Sequence, residues 1–174
     1  MAIVNGIDLD LWQGAINAVK DDPGAGGKTV MVETKWLGGT MSESIVGQSG
    51  EFVVRSDEPT ALGGGNAAPT PVQITLSALG SCLVIGLAAN AALMGIEIEN
   101  MRLAIEGKLD IRGFFGLSEE VRPGLQSIKC TIYLKSDAPK ERLEALRKHV
   151  KKTSPCVDIC SNQIGAMSSE LVFE

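Results

Sequence analysis

The chain has 174 residues, 44% of them hydrophobic, with 16 Lys and Arg against 21 Asp and Glu. That is enough length and apolar material for one domain with a real core. The net charge of −5 gives no electrostatic basis for binding nucleic acid or an anionic membrane.

The opening stretch, MAIVNGIDLD, has neither the basic nor the apolar region of a signal peptide. Residues 8–20, DLDLWQGAINAVK, read as a short amphipathic helix with Leu11, Ala15, Ile16 and Val19 on its apolar face. DDPGAGG ends that helix as a flexible link, so residues 1–27 form a helical extension ahead of the domain body. Residues 29–36, TVMVETKW, alternate as a strand, and the glycines at 38 and 39 form a turn. GEFVVRS (50–56) is a further strand, with Phe52 and Val54 on one face and Val53 and Arg55 on the other. The Gly- and Pro-rich stretch 57–71 is a long loop of the kind that more often carries function.

Ala61 to Met94 contains no charged side chain. Pro71 is placed to start a long helix here and Gly95 to end it. Its length would span a bilayer. However, Gln73, Thr75, Ser77, Ser81 and Asn90 are scattered around it, and no Lys, Arg, Trp or Tyr anchors its ends closely. It reads instead as a central helix buried on most faces. Residues 99–113 and 125–137 alternate as strands; in the second, Ile128, Cys130, Ile132 and Leu134 share a face. Between them, 114–124 is a loop. PKERLEALRKHVKK (139–152) is an amphipathic helix with Leu143, Leu146 and Val150 inward, and AMSSELVFE closes as a strand. Strands come in blocks rather than alternating with helices, so the class is α+β in a single domain, 1–174.

Four cysteines stand at 82, 130, 156 and 160, too few and too uneven for a disulfide framework and suited to a reducing cytosol. Cys130 lies in an apolar row and packs as a small hydrophobe. Cys156, Cys160 and the single His149 do not make a zinc site, because Pro155 intervenes and no fourth ligand is near. The glycines at 63–65 lack the Lys and Ser or Thr of a phosphate loop. Cys82 stays open between buried filling and a reactive thiol. No Lys or Arg lies within a turn of it, so an activating cation must come from elsewhere in the fold.

APTPVQITLSALGSCL (68–83) resembles the central-helix signature of the OsmC and organic hydroperoxide resistance family. FVVRSDEP (52–59) with LGGG resembles the upstream segment that carries the family arginine, and SPCVDIC (154–160) the late segment with the second cysteine. The resemblance runs from near Val30 to the C-terminus. It implies an OsmC-like fold, with antiparallel strands around a long buried central helix, in an intertwined homodimer. It also implies a cytoplasmic, thiol-dependent peroxidase acting on organic hydroperoxides with an external thiol reductant. No metal or organic cofactor is implied. Cys82 matches the peroxide-reacting cysteine, Arg55 the activating arginine and Cys156 the provisional resolving partner. Two positions depart from the pattern. The family's helix glutamate falls on Val72, and the resolving cysteine, aligned on the proline, falls on Ser154. Gln73 does not replace the glutamate, since it lies about 180° from Cys82 around the helix. With no carboxylate to orient Arg55 except Asp57 or Glu58 in its own loop, Cys82 is expected to stay near the ordinary thiol pKa of about 8.5. These departures support an alternative: a non-catalytic protein that keeps the pocket for a small apolar ligand.

Overall fold

The structure is a computed structural model that describes residues 2–47 and 49–173. Two strands, β1 (Ile3–Val4) and β2 (Ile7–Asp8), form a minimal hairpin. Its turn is Asn5-Gly6, both at positive φ (53° and 75°), the backbone that a tight hairpin requires. The Asn5 side chain donates to the Ile96 carbonyl at 2.9 Å and accepts from the Ile98 N–H at 2.9 Å, so the hairpin is pinned to the chain just beyond the long helix. Helix α1 (Leu9–Asp21) follows, with the Asp8 carboxylate capping its first N–H groups. The expected apolar face is formed but not covered: Leu11 is 74% exposed and only Ile16 is partly sheltered.

Three antiparallel strands, β3 (Glu33–Gly38), β4 (Met41–Val46) and β5 (Phe52–Ser56), make one sheet in that order. Strand β4 has no counterpart in the sequence reading. The sheet packs chiefly on itself and leaves Trp36, Phe52 and Val53 exposed. The loop after β5 is shaped by Asp57, whose side chain is shut off from solvent. It accepts from the Ala67 and Gly65 N–H groups, both at 3.0 Å, from the Thr40 hydroxyl at 2.6 Å and from its neighbour Glu58 N–H at 2.8 Å. These donors, Ala67 first and then Thr40, hold its carboxyl below the usual range. Glycine is required at 64, where a Cβ would come within 1.9 Å of the Glu58 carbonyl oxygen. The glycine run therefore folds the loop tightly around a buried carboxylate.

Helix α2 (Pro71–Leu93) starts where the sequence places it, with Pro71 in its first turn. Gln73 completes a capping box with Thr70 and so serves the helix end, not the thiol. Gly95 follows at φ 63°. Two further strands, β6 (Asn100–Lys108) and β7 (Ser127–Lys135), pair antiparallel, and a short helix, α3 (Ile111–Phe114), lies between them. Helices α4 (Lys140–Thr153) and α5 (Pro155–Ser161) complete the order.

One stripe of α2, Leu79, Leu83, Leu87 and Ala91, is buried with Ile96 and with Leu146 and Val150 of α4. The i, i+4 spacing puts these residues on one face. Burying each large side chain contributes about 1.5–3 kcal/mol. Gly86 lets α4 approach, since a Cβ there would meet Val150 at 2.9 Å. The helix is long and apolar enough to cross a membrane by composition alone, yet here it is the core helix against the charged helix α4. The expectation of burial on most faces is corrected. One chain covers this stripe and, near the helix end, Ala89 and Ala92, whereas Ile85 on another face is 58% exposed.

Two more expectations are corrected. Residues 162–173 form no strand, and Leu171, Val172 and Phe173 are exposed; residue 174 lies outside the described residues. Cys130 pairs with Ile105 and shares its face with Ile128 and Ile132, as the alternation requires, but it is exposed. Among the described residues strand β7 pairs only with β6, so its other edge is open. A groove of about 800 Å³ runs along that edge, between β7 and helices α2, α4 and α5, and Cys130 lines it.

Candidate functional site

The site is built at the corner between α4 and α5. Proline at 155 cannot continue α4 and pushes Ser154 out of helical geometry, to φ −77° and ψ 118°. Ser154 thus ends one helix, its N–H donating to the Val150 carbonyl at 2.9 Å, and caps the next, its Oγ accepting from the Val157 N–H at 3.3 Å. The corner is buried, with Ser154 only 6% exposed. It lies against α2 at Cys82, where Ser154 Oγ is 3.2 Å from Cys82 Sγ. The Ser154 oxygen already accepts from Val157, so its proton is free to point at the sulfur.

Cys156, one residue into α5, also meets Cys82. Its backbone N–H and its thiol lie close enough to act on the Cys82 pKa. Burial is the largest single influence on Cys82 and pushes its pKa up; the Ser154 hydroxyl, the Cys156 N–H and the Cys156 thiol together outweigh it and bring the pKa below the ordinary thiol value. The expectation is of a thiol near its ordinary value; the net direction is instead downward, set by neutral donors on a neighbouring element and not by a cation. Cys156 moves the other way, raised by burial first and then by Cys82 itself. Cys130 is also raised, because the atoms packed around its sulfur desolvate it even though the residue is open to solvent on one side. The most exposed of these three thiols is thus not the one poised to ionise.

Arg55 is not brought to Cys82 within the chain. It sits on β5 directly opposite Glu43 of β4, and its Nε and Nη2 each donate to Glu43 Oε2 at 3.0 Å. Lys35 of β3 binds the other oxygen at 2.9 Å. These two cations, Lys35 first, hold the Glu43 carboxyl low. The expected partners of Arg55, Asp57 and Glu58, do not serve: Asp57 is committed to its loop. Val72, at the start of α2, is half-buried and supplies no acceptor.

Two residues of this arrangement were missed in the sequence, Ser154 and Glu43. The Ser-Pro pair at 154–155 is a helix-start signal and would have placed Ser154 as a cap. Glu43 lies on the strand that the sequence reading omitted. An expected result follows for Ser154. Ser154→Ala removes one donor to the Cys82 thiolate, so the pH midpoint of Cys82 alkylation should move up towards the ordinary thiol value, as iodoacetamide labelling across a pH series would read.

Comparison with known proteins agrees with this layout. The family model described as OsmC-like protein matches residues 63–165, which include the long helix with Cys82 and the corner with Ser154 and Cys156. No curated protein sequence matches the chain. Among solved structures, an OsmC-like protein from Mycoplasma pneumoniae superposes with a TM-score of 0.65 at 16% identity, over 76% of this chain and 87% of that one. An organic hydroperoxide resistance protein from Elizabethkingia anophelis gives a TM-score of 0.61 at 14% identity, over 78% and 89%. The organic hydroperoxide resistance protein OsmC from Legionella pneumophila gives 0.52 at 17%, over 77% and 90%. At such identities these neighbours establish the fold, an α+β arrangement of small antiparallel sheets and helices. With the family model covering more than half of its length, the chain belongs to the OsmC-like protein family.

Proposed function

We propose that this protein is a thiol-dependent peroxidase that reduces organic hydroperoxides through Cys82. The observation that carries the reading is the pairing of an activated thiol with a second one: Cys82 is held by Ser154 and lies against Cys156. The Cys82 thiolate attacks one oxygen of the O–O bond; the other leaves as an alkoxide and takes a proton, giving the alcohol and a sulfenic acid on Cys82. The Cys156 thiol then condenses with the sulfenic acid, forming a disulfide and releasing water. An external thiol reductant restores both thiols. The names of the Elizabethkingia and Legionella neighbours, organic hydroperoxide resistance proteins, support the substrate class.

The working form is a homodimer. Two surfaces of one chain ask for cover: the open face of α2 around Ile85, and the β3–β5 sheet with Phe52 and Val53 exposed. A second copy offers each surface to the other, a self-complementary arrangement. It also supplies the cation that one chain withholds, because Arg55 lies on that same sheet and reaches a Cys82 only across the dimer. There its guanidinium favours the thiolate and the departing alkoxide.

The test is consumption of cumene hydroperoxide with a dithiol as reductant. Catalytic consumption supports the peroxidase. The groove of about 800 Å³ beside Cys130 favours a second reading, a binding protein for a small apolar ligand. That reading gains if the folded protein consumes no peroxide and instead binds an apolar fluorescent probe stoichiometrically.

A further inference from the structure

Three thiols, not two, are gathered at this corner. Cys156 and Cys160 are four residues apart on α5, hence on one side of the helix. Both are partly buried against the core cluster. Cys156 is close enough to Cys82 for each to act on the other's pKa, and Cys160 is close enough to Cys156 for its charge to act on it. The surroundings then divide. Cys160, with Val157 and Ser161, lines the open groove along β7, whereas neither Cys82 nor Cys156 does. The order Cys82, Cys156, Cys160 therefore runs from the Ser154 corner to the solvent-accessible groove.

We propose that Cys160 is a third redox residue, which passes the disulfide from the Cys82 site to the groove where the reductant enters. The inference rests on the peroxidase reading above. After Cys82 and Cys156 have joined, the Cys160 thiolate attacks the Cys156 sulfur. The Cys82–Cys156 bond breaks, Cys82 leaves as a thiolate with the bonding pair, and a Cys156–Cys160 disulfide forms; no outside oxidant is needed. The leaving group is the thiol whose pKa is lowered, which favours its departure. Ser154 and the Cys156 N–H are in place to receive the thiolate. An external dithiol then reduces the Cys156–Cys160 bond, being itself oxidised to a disulfide.

Geometry makes this second bond the labile one. Helical neighbours four apart have Cβ atoms about 5–6 Å apart, and a disulfide needs about 3.5–4.5 Å. The last turn of α5 must loosen to close the gap. That is feasible because Cys160 is next to the helix end at Ser161. A disulfide strained in this way is more easily reduced than a relaxed one. Handing oxidation to Cys160 returns Cys82 to its thiolate before the reductant arrives, so the next peroxide need not wait.

Trypsin separates the possibilities. Cleavage after Arg55 and Arg102 leaves Cys82 alone in one peptide, and cleavage after Lys152 leaves Cys156 and Cys160 together in another. The full-length protein is treated with one equivalent of cumene hydroperoxide, or separately with diamide, which oxidises thiols without a peroxide step. Samples are quenched in acid at intervals, alkylated and digested. The expected result is an early cross-link between the two peptides that decays into an internal Cys156–Cys160 bond. In Cys160→Ser the cross-link should persist, and its reduction by dithiol should slow by roughly tenfold. A wild-type cross-link that persists as in Cys160→Ser, or a Cys130–Cys160 bond in place of the internal one, would overturn the relay. If peroxide leaves Cys82 unoxidised, the peroxidase reading fails on its own. The diamide arm still decides the relay: an internal bond supports it, and only a Cys82–Cys156 bond sinks it.

Discussion

Cys82→Ser should abolish organic hydroperoxide reduction, whereas Cys156→Ser should consume a single equivalent per chain and then stop. The two outcomes differ because the proposed mechanism gives the thiols different tasks. Only Cys82 has donors arranged to stabilise a thiolate, from Ser154 and from Cys156. A serine hydroxyl at 82 does not ionise in any accessible pH range and does not attack an O–O bond. Cys156, with its pKa raised, is a poor first nucleophile. It becomes useful once a sulfenic acid stands beside it. Cys156→Ser should therefore trap that acid, and an external monothiol should restore part of the turnover by replacing the missing partner. Quenched-flow peroxide determination distinguishes the two variants. Steady consumption by Cys82→Ser would place the chemistry on another thiol.

Ile85→Glu should turn the protein into a monomer and lower its peroxide rate on the order of a hundredfold, the cost of losing one charge-stabilising donor from an active site. Ile85 is 58% exposed on a face of α2 that one chain leaves open. In the proposed dimer that face is covered, and a glutamate there would replace about 1.5–3 kcal/mol of apolar burial with a charge that must stay wet. The chain itself should still fold, since the buried stripe of Leu79, Leu83 and Leu87 is on another side. Arg55→Ala in an intact dimer should produce a similar rate loss without dissociation. Sedimentation and single-turnover rates on both variants separate assembly from activation. A wild-type monomer at micromolar concentration would contradict the proposed assembly, and an unchanged rate in Arg55→Ala would remove the arginine from the mechanism.

Much of the local structure was legible because it rests on local signals. Pro71 and Gly95 bracket α2, and the alternation of β7 is visible in Ile128, Cys130, Ile132 and Leu134. The clean heptad-like spacing of Leu143, Leu146 and Val150 marks α4. What escaped depends on partners distant in sequence, or on signals too short to weigh. The β1–β2 hairpin is two residues per strand, so its Asn-Gly turn stood without flanking alternation. Strand β4, MSESIV, has as many polar as apolar residues, with Glu43 set between Met41 and Ile45 on its more apolar face, and offers little period to read. Missing β4 hid Glu43, and with it the partner of Arg55, which is fixed by strand register and not by nearness in the chain. The activation of Cys82 was hidden for the same reason: Ser154 lies 72 residues away and reaches it only when Pro155 turns the chain. Alternation assigns Cys130 its face but does not reveal whether that face is covered.

One measurement bears most directly on the central claim that Cys82 is an activated, peroxide-reducing thiol. Cys156→Ser protein, in which a sulfenic acid has no resolving partner, is exposed to sub-stoichiometric cumene hydroperoxide across a pH series, and the acid is captured with dimedone. Labelling should fall on Cys82 with Cys130 unlabelled, and the half-maximal rate should lie at a lower pH than for an unperturbed cysteine. Equal labelling of Cys82 and Cys130, or no labelling of either in folded protein, would contradict that claim.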